Sequence, residues 1–301
     1  MPIAPDPPPA RSLHILLASA LLLTVLAGCS RVSILYHTAD IFIEGYADDY
    51  LELDSAQLAD WQPTLRSALA RHRRDELPYL ARFFDTAYDG ARSGFDSARV
   101  ACLLEQFEHI YRRHFRIGVT AAAPLLIDLT PSQIRKLESK FAKDNQDVPR
   151  NDPASVARRD RKRAERYSES LGWWFGSVSE RQKRIIAEVT ESMPDTAADW
   201  MAYRSAKQAR LIVLLRRGAD EKSVRLYLND WLVEYRDLPP ELTRARALIK
   251  EQIIKLLTRM DESLTGEQRR HFAKRLRTLR DDFLSLQKRP HMATVRCATS
   301  G

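Results

Sequence analysis

The stretch Ile249-Lys250-Glu251-Gln252-Ile253-Ile254-Lys255-Leu256-Leu257-Thr258-Arg259-Met260 decides the fold class. Ile249, Ile253, Leu256, Leu257 and Met260 recur three and four residues apart, which gathers them on one face of an α-helix and would scatter them over both faces of a strand. The same interval joins Val224, Leu228, Trp231, Leu232 and Tyr235. Outward from these segments the chain reads alike, in runs rich in Ala, Leu, Arg, Glu and Lys. Gly and Pro punctuate the runs at Gly90 and Gly94, Gly118 to Pro124, Pro149 to Pro153, Gly176, Pro194, Gly218, Pro239-Pro240 and Gly266. This punctuation predicts about nine helices. Strand signals are nearly absent, so the expected class is all-α, a multi-helix bundle of amphipathic helices with no sheet.

The N-terminus reads differently. Residues 13–27 form an apolar run preceded by Arg11, the length of a signal-peptide core and short for a membrane span. The run closes on Leu26-Ala27-Gly28-Cys29, which resembles a bacterial lipobox. The resemblance implies that residues 1–28 are a cleaved signal peptide and that the Cys29 thiol is lipidated. The mature domain would then hang from a membrane on the periplasmic side. Ser30 stands where Asp often marks inner-membrane retention, which favours the outer membrane. Residues 29–287 are expected to form the helical domain, with two halves meeting near 149–153 as one division of it. Residues 288–301 show no periodic apolar face and read as a disordered tail.

The formal net charge is +8, and Asp6 and Arg11 cancel within the expected signal peptide. In the periplasm nucleic acid is not an expected partner. The basic excess points instead to anionic lipid head groups, lipopolysaccharide or acidic proteins. Two further cysteines remain: Cys102 in a helical pattern and Cys297 in a polar tail. Their placement reads as two unpaired thiols, although an oxidising compartment would allow a bridge.

One helix start recurs four times. It is seen in Leu53-Asp54-Ser55-Ala56-Gln57, Leu129-Thr130-Pro131-Ser132-Gln133, Val178-Ser179-Glu180-Arg181-Gln182 and Leu264-Thr265-Gly266-Glu267-Gln268. Each has an aliphatic residue, a capping side chain, two spacers and Gln. The spacing is that of a capping box, in which the cap oxygen accepts from the first turn and the Gln reaches back to the cap N–H. Pro131 stands at the first helical position, where its missing donor costs nothing. Leu53 with Leu58, and Leu129 with Ile134, fit a hydrophobic staple.

Leu-Thr-x-x-Gln is the hallmark of the Spy/CpxP group of periplasmic helical proteins, which this chain resembles strictly at 129–133 and 264–268. That resemblance implies an ATP-independent chaperone or envelope-stress adaptor. The chain departs from the group in its length and its lipobox. Over nearly its whole length it is similar to an uncharacterised family of Gram-negative lipoproteins. The lipobox, Tyr36 to Tyr50, the Leu-x-x-x-Gln start and Arg71-His72-Arg73-Arg74-Asp75-Glu76-Leu77-Pro78 carry this second resemblance. It implies architecture and no activity.

Other candidate features are weaker. The first mature helix, roughly 32–51, places Val32, Leu35, Ala39, Phe42, Ile43 and Tyr46 on one face. Asp40, Glu44 and Asp48 form an acidic ladder on another, expected to face water or the basic Arg71, Arg73 and Arg74. His37, Asp40 and Glu44 share a face, but a solvated acidic face is the commoner meaning and no metal site is expected. His109 and His114 are five apart, wrong for a zinc pair on a helix. Arg158, Arg159, Arg161, Lys162, Arg163 and Arg166 crowd one helix and could contact an anionic surface. Trp173-Trp174-Phe175 follows, either plugging the core or leaving one ring exposed. The sequence has no Gly-x-Ser-x-Gly, no His-Glu-x-x-His, no phosphate loop and no Cys-x-x-Cys, so neither enzyme nor cofactor is expected. The expected function is a non-catalytic, lipid-anchored module binding polypeptide clients. The alternative is a structural envelope protein docking to anionic lipid or lipopolysaccharide through the basic helix.

Overall fold

A computed structural model describes residues 31–295, and no strand occurs among them. The fold is all-α, as the apolar periodicity requires. The chain divides into two compact units, residues 1–39 and 40–301. The first contributes α1 (Arg31–His37). The second carries α2 (Ala39–Leu51), which begins at its edge, then α3 (Ser55–Asp75), α4 (Leu77–Ser93), α5 (Ser97–Ile127) and α6 (Pro131–Asp144). It continues through α7 (Pro153–Phe175), α8 (Glu180–Glu191), α9 (Ala197–Arg216) and α10 (Glu221–Leu228). A π-helical segment (Asn229–Val233), α11 (Pro240–Glu262) and α12 (Gly266–Ser285) complete it. Twelve α-helices thus stand among the described residues, where about nine were expected. Part of the excess is a break that carries no Gly: at Glu76, α3 stops and α4 starts with Pro78 in its first turn.

The recurrent helix starts organise the molecule. Each of the four forms a capping box, at Asp54/Gln57, Thr130/Gln133, Ser179/Gln182 and Thr265/Gln268. The boxes then meet in pairs across the chain. Gln57 Nε2 donates to Gln133 Oε1 at 3.1 Å, and Gln133 Nε2 returns the bond at 2.6 Å. Gln182 and Gln268 exchange the same two bonds, both at 3.0 Å. Each amide spends its second N–H on the carbonyl two residues before its partner's cap. Gln57 reaches Asp128, Gln133 reaches Glu52, Gln182 reaches Ser263 and Gln268 reaches Ser177. Each Oε1 also accepts from its own cap N–H, so both donors and both lone pairs of every amide are used. Leu53 and Leu129 anchor the first clasp in one apolar core, and Val178 and Leu264 pack against a second.

The two clasps mark two similar halves. In the first, α3 packs on α5, and α6 leaves the clasp; in the second, α8 packs on α11, and α12 leaves it. Each half also carries an insertion that packs on the other. From the second half, α9, α10 and the π-helical segment bring Leu211, Leu215, Val224, Leu228 and Val233 into the first core. From the first half, α4 lays Ala87 and Ala91 against Leu276 of α12. Residues 40–301 cluster as one unit, within which the two halves exchange these insertions.

Four expectations need correction or narrowing. Phe42 and Tyr46 belong to the apolar face read for the first helix, yet that face is not buried there: they are 63% and 66% exposed. Only the end of α2 docks, through Ala47, Tyr50 and Leu51. Of the two settings expected for the acidic residues of α2, water holds for the exposed Asp48, while Arg71 and Arg74 are taken up by Asp75. Glu44 instead accepts from Gln62, Asp48 caps the Leu53 N–H, and the neighbouring Asp49 pairs with Lys140. Residues 288–295 are laid against α4 where a disordered tail was expected: Ala293 N–H donates to Pro78 O at 3.1 Å and Arg82 Nε to Ala293 O at 3.0 Å. Main-chain bonds hold this segment, so no apolar period announces it. Finally, Cys102 is disulfide-bonded, where a free thiol was expected. Its partner lies outside the described residues, as do the expected signal peptide, Cys29 and residues 296–301.

Candidate functional site

The second half does not close completely. Between α4, α5, α7, α11 and α12 lies a cavity of about 380 Å³. Phe83, Phe84, Phe95, Leu103, Trp174 and Phe272 are among its walls. Its polar lining side chains are Tyr167, Ser170 and Asp261. Asp261 is 8% exposed and already committed, accepting from Phe95 N–H at 3.1 Å and from Arg269 at 2.8 Å. Burial pushes the Tyr167 hydroxyl above its ordinary value, so it stays neutral. The cavity is thus an apolar container with no reactive pair inside.

Small residues and aromatic geometry explain the opening. Gly90 touches Phe95: a Cβ there would sit 2.3 Å from the ring, so only glycine lets the ring fold back over α4. Trp174 stacks towards Phe84 at 6.4 Å and meets Phe272 edge-on at 5.9 Å. Flat rings locked edge to face leave gaps that branched aliphatics would fill. Trp174 and Phe175 point inward, whereas Trp173 is 49% exposed with the Arg275 guanidinium 4.1 Å over its ring. The aromatic triplet therefore both plugs the core and presents one face.

A cleft of about 630 Å³ adjoins the cavity, and Leu104, Phe107 and Ile253 line both. Phe107, 57% exposed, forms their common rim. Charged and hydroxyl side chains join the apolar ones in this cleft: Glu108, Tyr111, Arg112, Glu234, Tyr235, Arg246 and Lys250 line it. Arg112 bridges Glu108 at 2.9 Å and Glu234 at 3.1 Å, and Arg116 holds Glu234 at 2.7 Å. The Arg116 hydrogen bond keeps the Glu234 carboxyl below its ordinary value and hence ionised. Tyr235 is held at φ 51, in the left-handed region, two residues after the π-helical segment ends. Its hydroxyl bonds Tyr111 at 2.6 Å, and Arg246 sits 4.7 Å over its ring. Burial and this bond raise the Tyr111 hydroxyl well above the ordinary tyrosine range. A π-segment followed by non-glycine residues at positive φ stores strain of the kind that clusters at binding sites.

The basic stretch on α7 is partly consumed inside the molecule. Arg159 pairs with Asp195 and donates to Arg150 O. Arg163 donates to Thr190 O and Met193 O and pairs with Asp160, tying α7 to the end of α8. Arg158 reaches Ser155. Arg161, Lys162 and Arg166 are exposed without an ion-pair partner among the described residues. His37 and Asp40 bond within their own helices, and no group of three or more His, Cys, Asp or Glu suited to a metal occurs among the described residues.

Two buried polar contacts escaped the sequence. Glu76, 3% exposed, receives both Arg113 Nε at 2.6 Å and Nη2 at 3.0 Å, at the α3–α4 break. Arg113 also lies 4.1 Å over the Tyr79 ring. His72 and His114 meet edge to face at 4.6 Å between α3 and α5. Burial, with a smaller push from His114, lowers His72 to about 4. The charged break at residues 71–76 was the one visible signal for either contact.

The fold is all-helical, built from two interlocked halves that are each closed by a paired glutamine clasp, and it encloses an apolar cavity. The chain belongs to a family of unknown function, DUF6279, whose model matches residues 49–241. The match spans the first clasp and Gln182, while the second clasp's Thr265–Gln268 and most of the α11 and α12 walls of the cavity lie beyond it. No curated protein and no solved structure matches the chain.

Proposed function

We propose that this protein is a lipid-anchored, non-catalytic binding module on the periplasmic side of the outer membrane, and that its cavity holds apolar groups of other molecules. The observation that carries the binding reading is the composition of the cavity: aromatic and aliphatic walls, with Asp261 neutralised by Arg269. Such a container binds by excluding water and lacks a paired acid, base or nucleophile. Clients matching this chemistry are apolar side chains or chain ends, which narrows the polypeptide-client expectation drawn from the Leu-Thr-x-x-Gln motif.

Three observations support export and anchoring. The lipobox supplies Cys29. The disulfide at Cys102 fits an oxidising compartment. With Cys29 acylated, Cys297 is the cysteine left to complete it. Ile41, Phe42, Ile43 and Tyr46 follow the anchor closely in sequence and are exposed, as suits a helix lying against a lipid interface. Docking through the basic helix, the alternative role, retains Arg161, Lys162 and Arg166 as free cations.

Two measurements test the reading. N-phenyl-1-naphthylamine, a neutral apolar dye, should bind the purified domain saturably at one site and brighten; absence of saturable enhancement overturns the binding reading. Labelled palmitate should enter the wild type and not Cys29→Ser. Since one chain anchors marginally and two or more hold stably, the wild type should resist high salt and yield to detergent. Unlabelled wild type released by salt overturns the anchor.

A further inference from the structure

We propose that the cavity and the adjoining cleft form one site for a single acyl chain ending in an anionic group, with the chain in the cavity and the head in the cleft. The inference rests on the reading that the cavity holds apolar groups, and it adds the head group and the single-chain form.

The two spaces are neighbours in the way an amphiphile needs. Leu104, Phe107 and Ile253 line both, so a molecule crossing the Phe107 rim passes from aromatic walls to charged ones without leaving the surface of α5 and α11. The cavity volume of about 380 Å³ suits one flexible chain and falls in the range of small-molecule sites, roughly 300–1,000 Å³.

The sign of the head group follows from the charge balance at the cleft. Arg112, Arg116, Arg246 and Lys250 supply four cations against the two carboxylates Glu108 and Glu234. Arg112 and Arg116 are spent on these carboxylates. Arg246 is held by the Tyr235 ring and touches Glu108 only at 3.8 Å. Lys250, one turn further along α11, has no ion-pair or hydrogen-bond partner among the described residues. Spaced i and i+4, these two cations share a helix face, the one that carries Ile249 and Ile253 towards the cavity. A carboxylate or phosphate would complete them both. The strained Tyr235, fixed by Tyr111 and stacked under Arg246, holds that guanidinium at the edge of the cleft.

The test uses the mature domain and a naturally fluorescent fatty acid, cis-parinarate, displaced by dodecanoate, by dodecanol and by a lysophosphatidylglycerol of the same chain length. Dodecanoate should compete about tenfold better than dodecanol, and each added methylene should tighten binding by up to roughly fourfold until the cavity is full. Arg246→Gln with Lys250→Gln should erase the preference for the acid and leave dodecanol affinity unchanged. Ser170→Phe, at an exposed position on the cavity lining, should weaken acid and alcohol alike while leaving the thermal melt in place. If fatty acid competes better than the lysolipid, the free acid is the source; if the lysolipid competes better, a membrane lipid is. Either result supports the site. Equal binding of acid and alcohol by the wild type overturns the anionic-head inference and spares the apolar cavity. No binding of either overturns both.

Discussion

Gln182→Ala should be among the most damaging single changes outside the aliphatic core. Gln182 is 1% exposed and holds together two helix starts separated by 86 positions in the chain. Its amide donates to Ser263 O and Gln268 Oε1 and accepts from Ser179 N–H and Gln268 Nε2. Truncation leaves one N–H of the buried Gln268 without a partner and opens the cap N–H of the exposed Ser179 to water. At about 1–3 kcal/mol for the stranded buried donor and about 1 kcal/mol for the lost cap, the cost is about 2–4 kcal/mol. Gln57→Ala removes the corresponding clasp where Gln57 is only half-buried, so water replaces part of the loss, and about 1 kcal/mol is expected. Gln182→Glu keeps the shape and loses both donors. It should cost at least as much as Ala at neutral pH and recover in part when the carboxyl is protonated. Urea denaturation followed by helical circular dichroism measures these values, with an unchanged m-value confirming that the end states are the same. The pairing itself is read from a double-mutant cycle, in which Gln182→Ala and Gln268→Ala should couple by about 1–2 kcal/mol. A Gln182→Ala cost below about 1 kcal/mol, or single costs that simply add, would show that the clasp is not what joins these helices.

Arg113→Ala should destabilise by about 3–5 kcal/mol, because it leaves Glu76 charged and buried, and Arg113→Ala with Glu76→Gln should restore part of that loss; equilibrium unfolding of both variants checks it. His72 gives a pH signature: its folded value of about 4 lies below the ordinary 6.5, so the unfolded chain binds the proton more readily. Its contribution is therefore complete above pH 6.5 and falls as pH drops towards 4, by up to about 3 kcal/mol relative to His72→Asn; parallel pH profiles for the two proteins would refute this. Cys102 should resist alkylation in the exported protein until a reductant is added, as mass spectrometry of the tryptic peptides would show; a freely alkylated Cys102 contradicts the bridge.

The sequence alone determined what depends on neighbours in the chain. Apolar residues three and four apart made α11 a helix whatever it packs against. The order of cap, spacers and Gln set all four helix starts, since a capping box closes within one turn. Tertiary structure decided the rest. No local rule pairs Gln57 with Gln133 or Gln182 with Gln268, because an amide with unspent donors looks the same wherever it later finds an acceptor. The exchange of insertions escaped for a similar reason: α4 is amphipathic, and periodicity names its buried face without naming the partner, while α9 has little amphipathic bias to read. Trp174 and Phe175 drew notice as bulky aromatics, but the space beside them depends on Phe84, Phe95 and Phe272 arriving from other helices. A cavity is a failure of distant side chains to fill a volume, and only their arrangement in three dimensions determines it.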